Sequence, residues 1–205
     1  MERQITRTVP EDYKPLLSRL LVEAGYKGDP TALMKTGDPL AAAAELLKGK
    51  KVLEIGASPG LFVMRLQQAG VDVVGVDIEP WETDKARGII PCDARDMSKA
   101  LGDAKFDFIV SNGTMSREGL ISNVPMPDKI AFFRLHYPNG MQTLNAHADG
   151  MAREINAELA RHLKDGGAII HVADEQIVTD VAGLPLKQVF ARQSAEKNVV
   201  VLRKE

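Results

Sequence analysis

Residues 51–79 read KVLEIGASPGLFVMRLQQAGVDVVGVDIE, and their order decides the fold. Val52–Ile55 is a short apolar run with strand composition. Gly56, Ala57, Ser58, Pro59 and Gly60 form a turn, where glycine lets the backbone approach a ligand and take torsions closed to other residues. Ser58 is placed as an N-cap and Pro59 as the first helical residue. The helix is expected to run to about Ala69 and stop at Gly70 in a left-handed cap. Val73–Val76 is the next strand, with Asp77 at its carboxyl end, where an acid can accept both hydroxyls of a ribose. Strand, turn, helix, strand and acid in this order build a pocket for a ribose-bearing cofactor.

Two cofactor classes use that layout. A dinucleotide site wants G-x-G-x-x-G. Counted from Gly56, Ser58 and Leu61 stand where the second and third glycines belong. Glu54, two residues before the turn, would repel a pyrophosphate and attract a cationic ligand. In these residues the chain resembles the class I, Rossmann-like S-adenosylmethionine (SAM)-dependent methyltransferases. Their first motif is matched by VLEIGASPG and their second by the acid of VVGVDIE. The resemblance implies SAM as cofactor and S-adenosyl-L-homocysteine as product. It implies a cofactor floor of Gly56, Ala57, Ser58 and Gly60, with Asp77 on the ribose and Ile78 beside it. Glu54 either supports the turn or contacts the amino-acid end of SAM.

Further elements follow in order. Ile89–Cys92 is a short apolar run that ends at Asp93-Ala94. In the resembled family an acid in such a "D-A" step bonds the adenine amino group. The other reading of Asp93 is a cap for a helix around Ser98–Leu101. Phe106–Val110 is the fourth strand and leads into Ser111, Asn112 and Gly113. Ligands in open α/β sheets sit beyond strand carboxyl ends at the topological switch point. In a 3-2-1-4-5 order, that places Ser111 and Asn112 near the transferred methyl. Asn112 is a candidate for cofactor contact and for catalysis, and Asn-Gly is also a turn signal. NGTM departs from the Asn/Asp-Pro-Pro-aromatic motif of enzymes that methylate nucleobase amines. No cysteine follows the fourth strand, as cytosine C5 methylation requires. The GASPG turn resembles the ribose 2′-O group, although the lysine-rich tetrad of that group is not evident.

Residues 113–147 have little periodicity, and an insertion of that length often carries binding function. Lys129–Leu135 is read as a short helix. His136, Tyr137 and His147 are its polar groups of interest. His136 and His147 are candidate general bases, because an imidazole titrates near physiological pH. Either His instead satisfies local hydrogen bonds. The spacing of His136, His147 and His171 matches no known ligand cluster, so no metal is expected.

Met141–His162 reads as a long helix, and L-K-x-G-G before Ala168–Val172 resembles the family's entry into its fifth strand. Asp174 and Glu175 then lie near the substrate mouth. QVFARQS and NVVVLRK read as a closing antiparallel hairpin. Upstream, Tyr13, Leu16, Leu17, Leu20, Leu21 and Ala24 form one helical face. Asp29-Pro30 and Asp38-Pro39 open two further helices. These helices either pack blandly or form a lid, with residues 34–38 nearest the ligand.

The expected architecture is one α/β domain over 1–205. Residues 1–48 form an N-terminal helical cap. Residues 49–205 form a Rossmann-like, mostly parallel sheet of order 3-2-1-4-5-7-6 with one antiparallel strand and helices on both faces. Composition agrees with a globular chain: 205 residues, 44% hydrophobic and 26% charged. A formal net charge of −2 and a pI near 6.1 give no electrostatic argument for a nucleic-acid partner, and do not exclude one. The single cysteine, Cys92, rules out an intrachain disulfide. No signal peptide or membrane-length apolar run is read, so a cytoplasmic location is expected. The expected activity is methyl transfer from SAM to an oxygen or nitrogen of a small-molecule acceptor. RNA, protein, or non-catalytic SAM binding are the alternatives.

Overall fold

The computed structural model describes residues 9–122, 140–193 and 197–205. Seven strands form one sheet: β1 (Lys51–Ile55), β2 (Asp72–Asp77), β3 (Ile89–Pro91), β4 (Phe106–Asn112), β5 (Leu163–Ala173), β6 (Leu186–Arg192) and β7 (Asn198–Lys204). Their spatial order is 3-2-1-4-5-7-6. β1 to β5 are parallel, and β7 runs antiparallel to both β5 and β6. The expected order and the single reversed strand are both present.

Eight α-helices surround the sheet among the described residues: α1 (Lys14–Glu23), α2 (Pro30–Thr36), α3 (Pro39–Leu46), α4 (Leu61–Gln68), α5 (Glu82–Lys85), α6 (Met97–Leu101), α7 (Arg117–Ser122) and α8 (Gly140–His162). β1 and β4 are central and covered on both faces, which is why they read as continuous apolar runs rather than alternating ones. Leu53, Ile55, Ile109 and Ile169 face α8 through Met151, Ile155 and Leu159. Val52, Val110, Ile170 and Val172 face Leu16, Leu17 and Leu20 of α1 and Phe62, Val63 and Leu66 of α4. The N-terminal apolar face thus completes one side of the sheet's core. No described helix is long and apolar enough to cross a membrane.

Local caps explain several boundaries. Asp29 accepts from the Thr31 N–H at 2.8 Å, and Asp38 from the Ala41 N–H at 3.0 Å, each opening a helix with proline at its first position. The expected cap after β1 is different. α4 begins at Leu61, with Gly60 as N-cap at φ 73°, and not at Pro59 behind Ser58. Ser58 cannot cap because its polar groups are spent elsewhere. Its amide donates to Asp77 Oδ2 at 3.1 Å and its hydroxyl to Asp84 Oδ2 at 2.6 Å. A left-handed residue then has to start the helix, and glycine is the residue that does so without strain. The L-K-x-G-G segment also differs. It lies within β5 as an irregularity, with Leu163 opposite Phe106 and Ala168 opposite Phe108.

Close packing across β2 has a testable consequence. A Cβ on Gly75 would lie 2.5 Å from Ile89 Cδ1, 2.8 Å from Ala57 Cβ and 2.9 Å from Val63 Cγ2. Gly75→Ala is expected to lower stability by about 1–3 kcal/mol through overpacking, read from the urea-unfolding midpoint. An unchanged midpoint would show that the α4–sheet interface has slack.

Candidate functional site

The site is built on the β1–α4 turn. Asp77, half-buried at the end of β2, accepts from the Ser58 N–H and, through Oδ1, from the Glu79 N–H at 3.1 Å. Asp84 has no accessible surface, and accepts from Ser58 Oγ, from the Trp81 N–H at 3.2 Å and from Arg87 at 3.3 Å. The Ser58 hydroxyl bond is the main reason its carboxyl lies below the usual range, against the opposing effect of burial. Arg87 also donates to the Pro59 carbonyl, so α5 grips both sides of the turn. On the other flank Thr114 Oγ1 donates to the Ile55 carbonyl at 3.2 Å. A Cβ on Gly56, whose φ is 66°, would fall 1.9 Å from that oxygen.

Beside this turn lies a cavity of about 630 Å³ at the carboxyl ends of β1 to β4. Of the residues singled out above, Gly56, Asp77, Ile78, Asp93, Ala94 and His147 line it. Three strand ends and α8 therefore converge on one space of ordinary ligand size. Ala57 is buried beneath the turn, and Ser58 and Gly60 are not in the cavity wall. Sequence reasoning missed Thr114, Arg95, Met151 and Ile155, which also line it. A signal did exist for α8: His147, Met151 and Ile155 recur every four residues and so share one helix face. Asp84 had no local signal, because its partner lies 26 residues away in sequence.

Glu54 sits under the turn with no accessible surface, and neither of its carboxylate oxygens has a hydrogen-bond partner among the described residues. Burial, and then the nearby Asp77 charge, push its carboxyl well above the ordinary range. The N-terminal 3₁₀ turn, Glu11–Tyr13, lies near enough for Tyr13 to feel Glu54. The Tyr13 ring stacks on Phe62 at 5.1 Å between centroids and 8° between planes. Burial, and then the charges of Glu54, Asp12 and Asp77, raise the Tyr13 phenol. Asn112, expected at the reacting centre, instead donates to the Asp12 carbonyl at 3.2 Å and is absent from the cavity wall. Ser111 is fully buried, with Oγ 2.8 Å from His171 Nδ1. Burial pushes His171 down to about 3, so its ring is neutral. Residues 34–38 line neither this cavity nor the one described next.

Asp93 pairs with Arg95 at 2.6 Å, and the cap of α6 is Asp96, not Asp93. A second cavity of about 300 Å³ shares Gly113, Gly119 and Ser122 with the first. Glu118, Asp174 and Glu175 line it. The Glu175 carboxyl is raised, chiefly by its hydrogen bond with Glu118. Lys197 pairs with Asp174 at 2.7 Å. Among the described residues no group of three His, Cys, Asp or Glu is placed to hold a metal ion. His136, Tyr137 and the short helix expected at Lys129–Leu135 lie outside the described residues. Beyond Asp77, Ile78 is 46% exposed at the cavity edge, and Trp81, the only tryptophan of the chain, is 72% exposed.

A family model described as methyltransferase domain matches residues 30–179. The chain is 33% identical over 79 residues to the ribosomal RNA large subunit methyltransferase E of Wolbachia pipientis wMel. It is 35% identical over 80 residues to the protein of the same name from Wolbachia sp. subsp. Brugia malayi (strain TRS). These alignments take in 37% and 38% of this chain, and 41% and 37% of the curated relatives, so the chain spans well under half of their length. TrmN from Thermus thermophilus superposes with a TM-score of 0.50 at 15% identity, over 92% of this chain and 53% of that one. The PH0226 protein from Pyrococcus horikoshii OT3 also gives 0.50, at 17% identity, over 87% of this chain and 92% of that one. These two likenesses are likenesses of fold.

The Ser58–Asp84 bond has a signature in acid. A carboxyl held below its ordinary value adds stability that is present above the unfolded pKa and is lost as pH falls through the folded one. Asp84→Asn is therefore expected to flatten the loss of stability below about pH 4, measured by urea unfolding across a pH series. An acid limb identical to wild type would remove this bond from the account.

Proposed function

The chain belongs to the methyltransferase domain family, and on that premise we propose that it transfers the methyl group of SAM to a nitrogen or oxygen of a small acceptor. The observation that carries the reading is the convergence of Gly56, Asp77-Ile78 and Asp93-Ala94, from three separate strand ends, on one cavity wall. SAM supplies a methyl group made electrophilic by the sulfonium, so the protein need not generate the electrophile. Its own residues bind, align and exclude water, effects that can contribute roughly 7–11 kcal/mol in favourable cases.

The residues present fit a cationic, ribose-bearing cofactor. Glu54 is a buried acid whose two oxygens have no partner among the described residues, a feature that calls for a proton or a cation. Asp77 keeps acceptor capacity at the cavity wall beyond its bonds to two backbone amides. We assign Glu54 to the cofactor's ammonium and Asp77 to its ribose. Gly56 forms the floor, with the rest of the turn holding it in place, and the cavity wall around Ile78 and Ala94 receives the base. His147, on α8, is the residue we assign to receive the acceptor's proton. We read the whole chain as one domain, with residues 113–147 as an insertion serving the acceptor.

The small-acceptor reading is supported by the second cavity, which adjoins the first and presents Glu118, Asp174 and Glu175. With Asp174 paired to Lys197 and Glu175 hydrogen-bonded to Glu118, this lining keeps a reduced acidic character that favours an amine over a phosphate backbone. RNA is the second reading, favoured by the two curated relatives named as ribosomal RNA methyltransferases and by the GASPG turn. Incubation with methyl-labelled SAM and either a panel of small amines and alcohols or purified RNA separates the two. Label incorporated into RNA, and into none of the small compounds, would overturn the preferred reading.

Two binding measurements test the cofactor assignments. Asp77→Ala is expected to weaken SAM binding by about 1–3 kcal/mol in calorimetry, since the ribose donors lose their acceptor. An unchanged affinity removes that assignment. Burial holds the Glu54 carboxyl well above its ordinary value in the folded chain without cofactor, so stability is lost as pH rises above the ordinary glutamate value of 4.5. Glu54→Gln is accordingly expected to be more stable than wild type near neutral pH in the absence of cofactor, and to bind SAM more weakly. Wild-type binding should expel a proton as the ammonium replaces it, seen as a dependence of binding heat on the buffer's ionisation heat. Buffer-independent heat would detach Glu54 from the cofactor.

A further inference from the structure

We propose that Thr114 selects the methyl acceptor, by taking one hydrogen of an amino group and turning the nitrogen lone pair toward the methyl. The acceptor is then a primary amine and not an alcohol. The proposal rests on the reading given above and names the acceptor of that same site. In that reading the base lies by the ends of β2 and β3, and Asp77 at the end of β2 holds the ribose. The sulfonium, between the ribose and the amino-acid tail, then falls by the ends of β1 and β4, the switch point of the sheet. Gly56 follows β1, Gly113 and Thr114 follow β4, and all three line the cavity. The last two polar side chains of β4 are bound elsewhere, Ser111 to His171 and Asn112 to the Asp12 carbonyl. Thr114, half-buried, is therefore the polar side chain that this strand end delivers to the ligand space.

What Thr114 can recognise follows from where its hydrogen goes. A threonine hydroxyl has one hydrogen to donate and two lone pairs to accept with. The hydrogen goes to the Ile55 carbonyl at 3.2 Å. The oxygen also lies against Gly56, where a Cβ would fall 1.9 Å away, so it sits beside the floor of the site. Only acceptor capacity remains on it, which suits an N–H or O–H and opposes a lone pair. A neutral primary amine meets every demand at once. One hydrogen goes to Thr114, the lone pair faces the methyl, and the second hydrogen is left for the base, assigned above to His147. Nitrogen bonds to the methyl carbon while the C–S electron pair stays on sulfur, and then sheds a proton to His147. A hydroxyl has a single hydrogen. Given to Thr114, it is withheld from the base, because the carbonyl bonded to Thr114 is too weak a base to draw a proton through it. Given to His147, it leaves an oxygen lone pair opposed to those of Thr114. A tertiary amine has no hydrogen to give. Gly113, Gly119 and Ser122 line both cavities and are small, which suits an acceptor whose body extends into the second.

The test uses the full chain, methyl-labelled SAM, and primary amine, tertiary amine and alcohol built on the same benzyl and alkyl skeletons. Thermal unfolding and S-adenosylhomocysteine binding confirm that each variant is folded with its cofactor site intact, and Thr114→Cys replaces Thr114→Ala if that variant is not. The wild type is expected to label primary amines in preference to the matched tertiary amines and alcohols. Thr114→Ala is expected to lower kcat/KM for the primary amine by about 3- to 10-fold. Its binding to the protein loaded with S-adenosylhomocysteine, read by calorimetry, should weaken by a similar factor. The tertiary amine should change far less, so that the selectivity narrows. Thr114→Ser should restore the selectivity, because serine keeps the hydroxyl. A merely structural role for Thr114 would slow all the compounds alike. The proposal is overturned if the wild type labels tertiary amines or alcohols as well as primary amines, or if Thr114→Ala leaves the selectivity unchanged. A wild-type protein that binds S-adenosylhomocysteine and labels none of the compounds would instead sink the small-acceptor reading, and one that does not bind it would sink the cofactor reading.

Discussion

The carboxylates of Asp77 and Asp84 converge on Ser58, one on its amide and the other on its hydroxyl. That double grip joins the β1–α4 turn to the end of β2 and to α5. Once Ser58 is held, its groups are unavailable to α4, and the helix has to open one residue beyond Pro59, on a left-handed glycine. Gly56 is then pressed against Thr114, leaving no space for a side chain. The turn is therefore fixed by long-range partners on both flanks, and the cavity beside it inherits that rigidity. A cofactor floor gains from such support, because its backbone need not reorganise when a ligand binds.

Beneath the same turn the molecule carries a local conflict. A carboxyl group without partners is among the least favourable things to bury, and Glu54 has no accessible surface and no hydrogen-bond partner among the described residues. Tyr13, stacked on Phe62, lies near enough for Glu54 to act on its phenol, while Asn112 ties that segment to the end of β4 through the Asp12 carbonyl. Conflicts of this kind tend to mark places where a ligand completes the structure. The stabilising interactions sit on the Ser58 side and the unpartnered carboxyl sits on the Glu54 side, only a few residues apart. The N-terminal segment thus belongs to the site as well as to the core, through a 3₁₀ turn rather than through the loop at residues 34–38.

The parts of this arrangement that were legible in the sequence were the ones set by local pattern. The strand–turn–helix of residues 51–79, the acids after β2 and β3, the Asp-Pro helix starts and the closing hairpin all depend on near neighbours or on strand order. What sequence did not reveal depends on contacts between distant segments. Ser58 looked like a cap because serine before proline usually is one, but two remote carboxylates outcompete the helix for it. Asn112 looked catalytic because it ends β4 at the switch point, yet its amide serves a carbonyl 100 residues earlier. Arg95 was given no role, since the sequence reading stopped at the Asp93-Ala94 step. Its bonding to Asp93 is local in sequence, but the cavity wall it belongs to is completed by His147, Met151 and Ile155 of the distant α8.

One small feature changes how the protein can be studied. Trp81 is the chain's sole indole, lies largely in water, and comes three residues after Ile78 at the cavity edge. Its backbone is anchored to the same Asp84 that holds Ser58. The molecule therefore carries a built-in optical reporter, with a single emitter free of background from any other tryptophan. Its emission colour and quenching register events at the turn, so ligand arrival can be followed in a cuvette, in real time, on unlabelled protein.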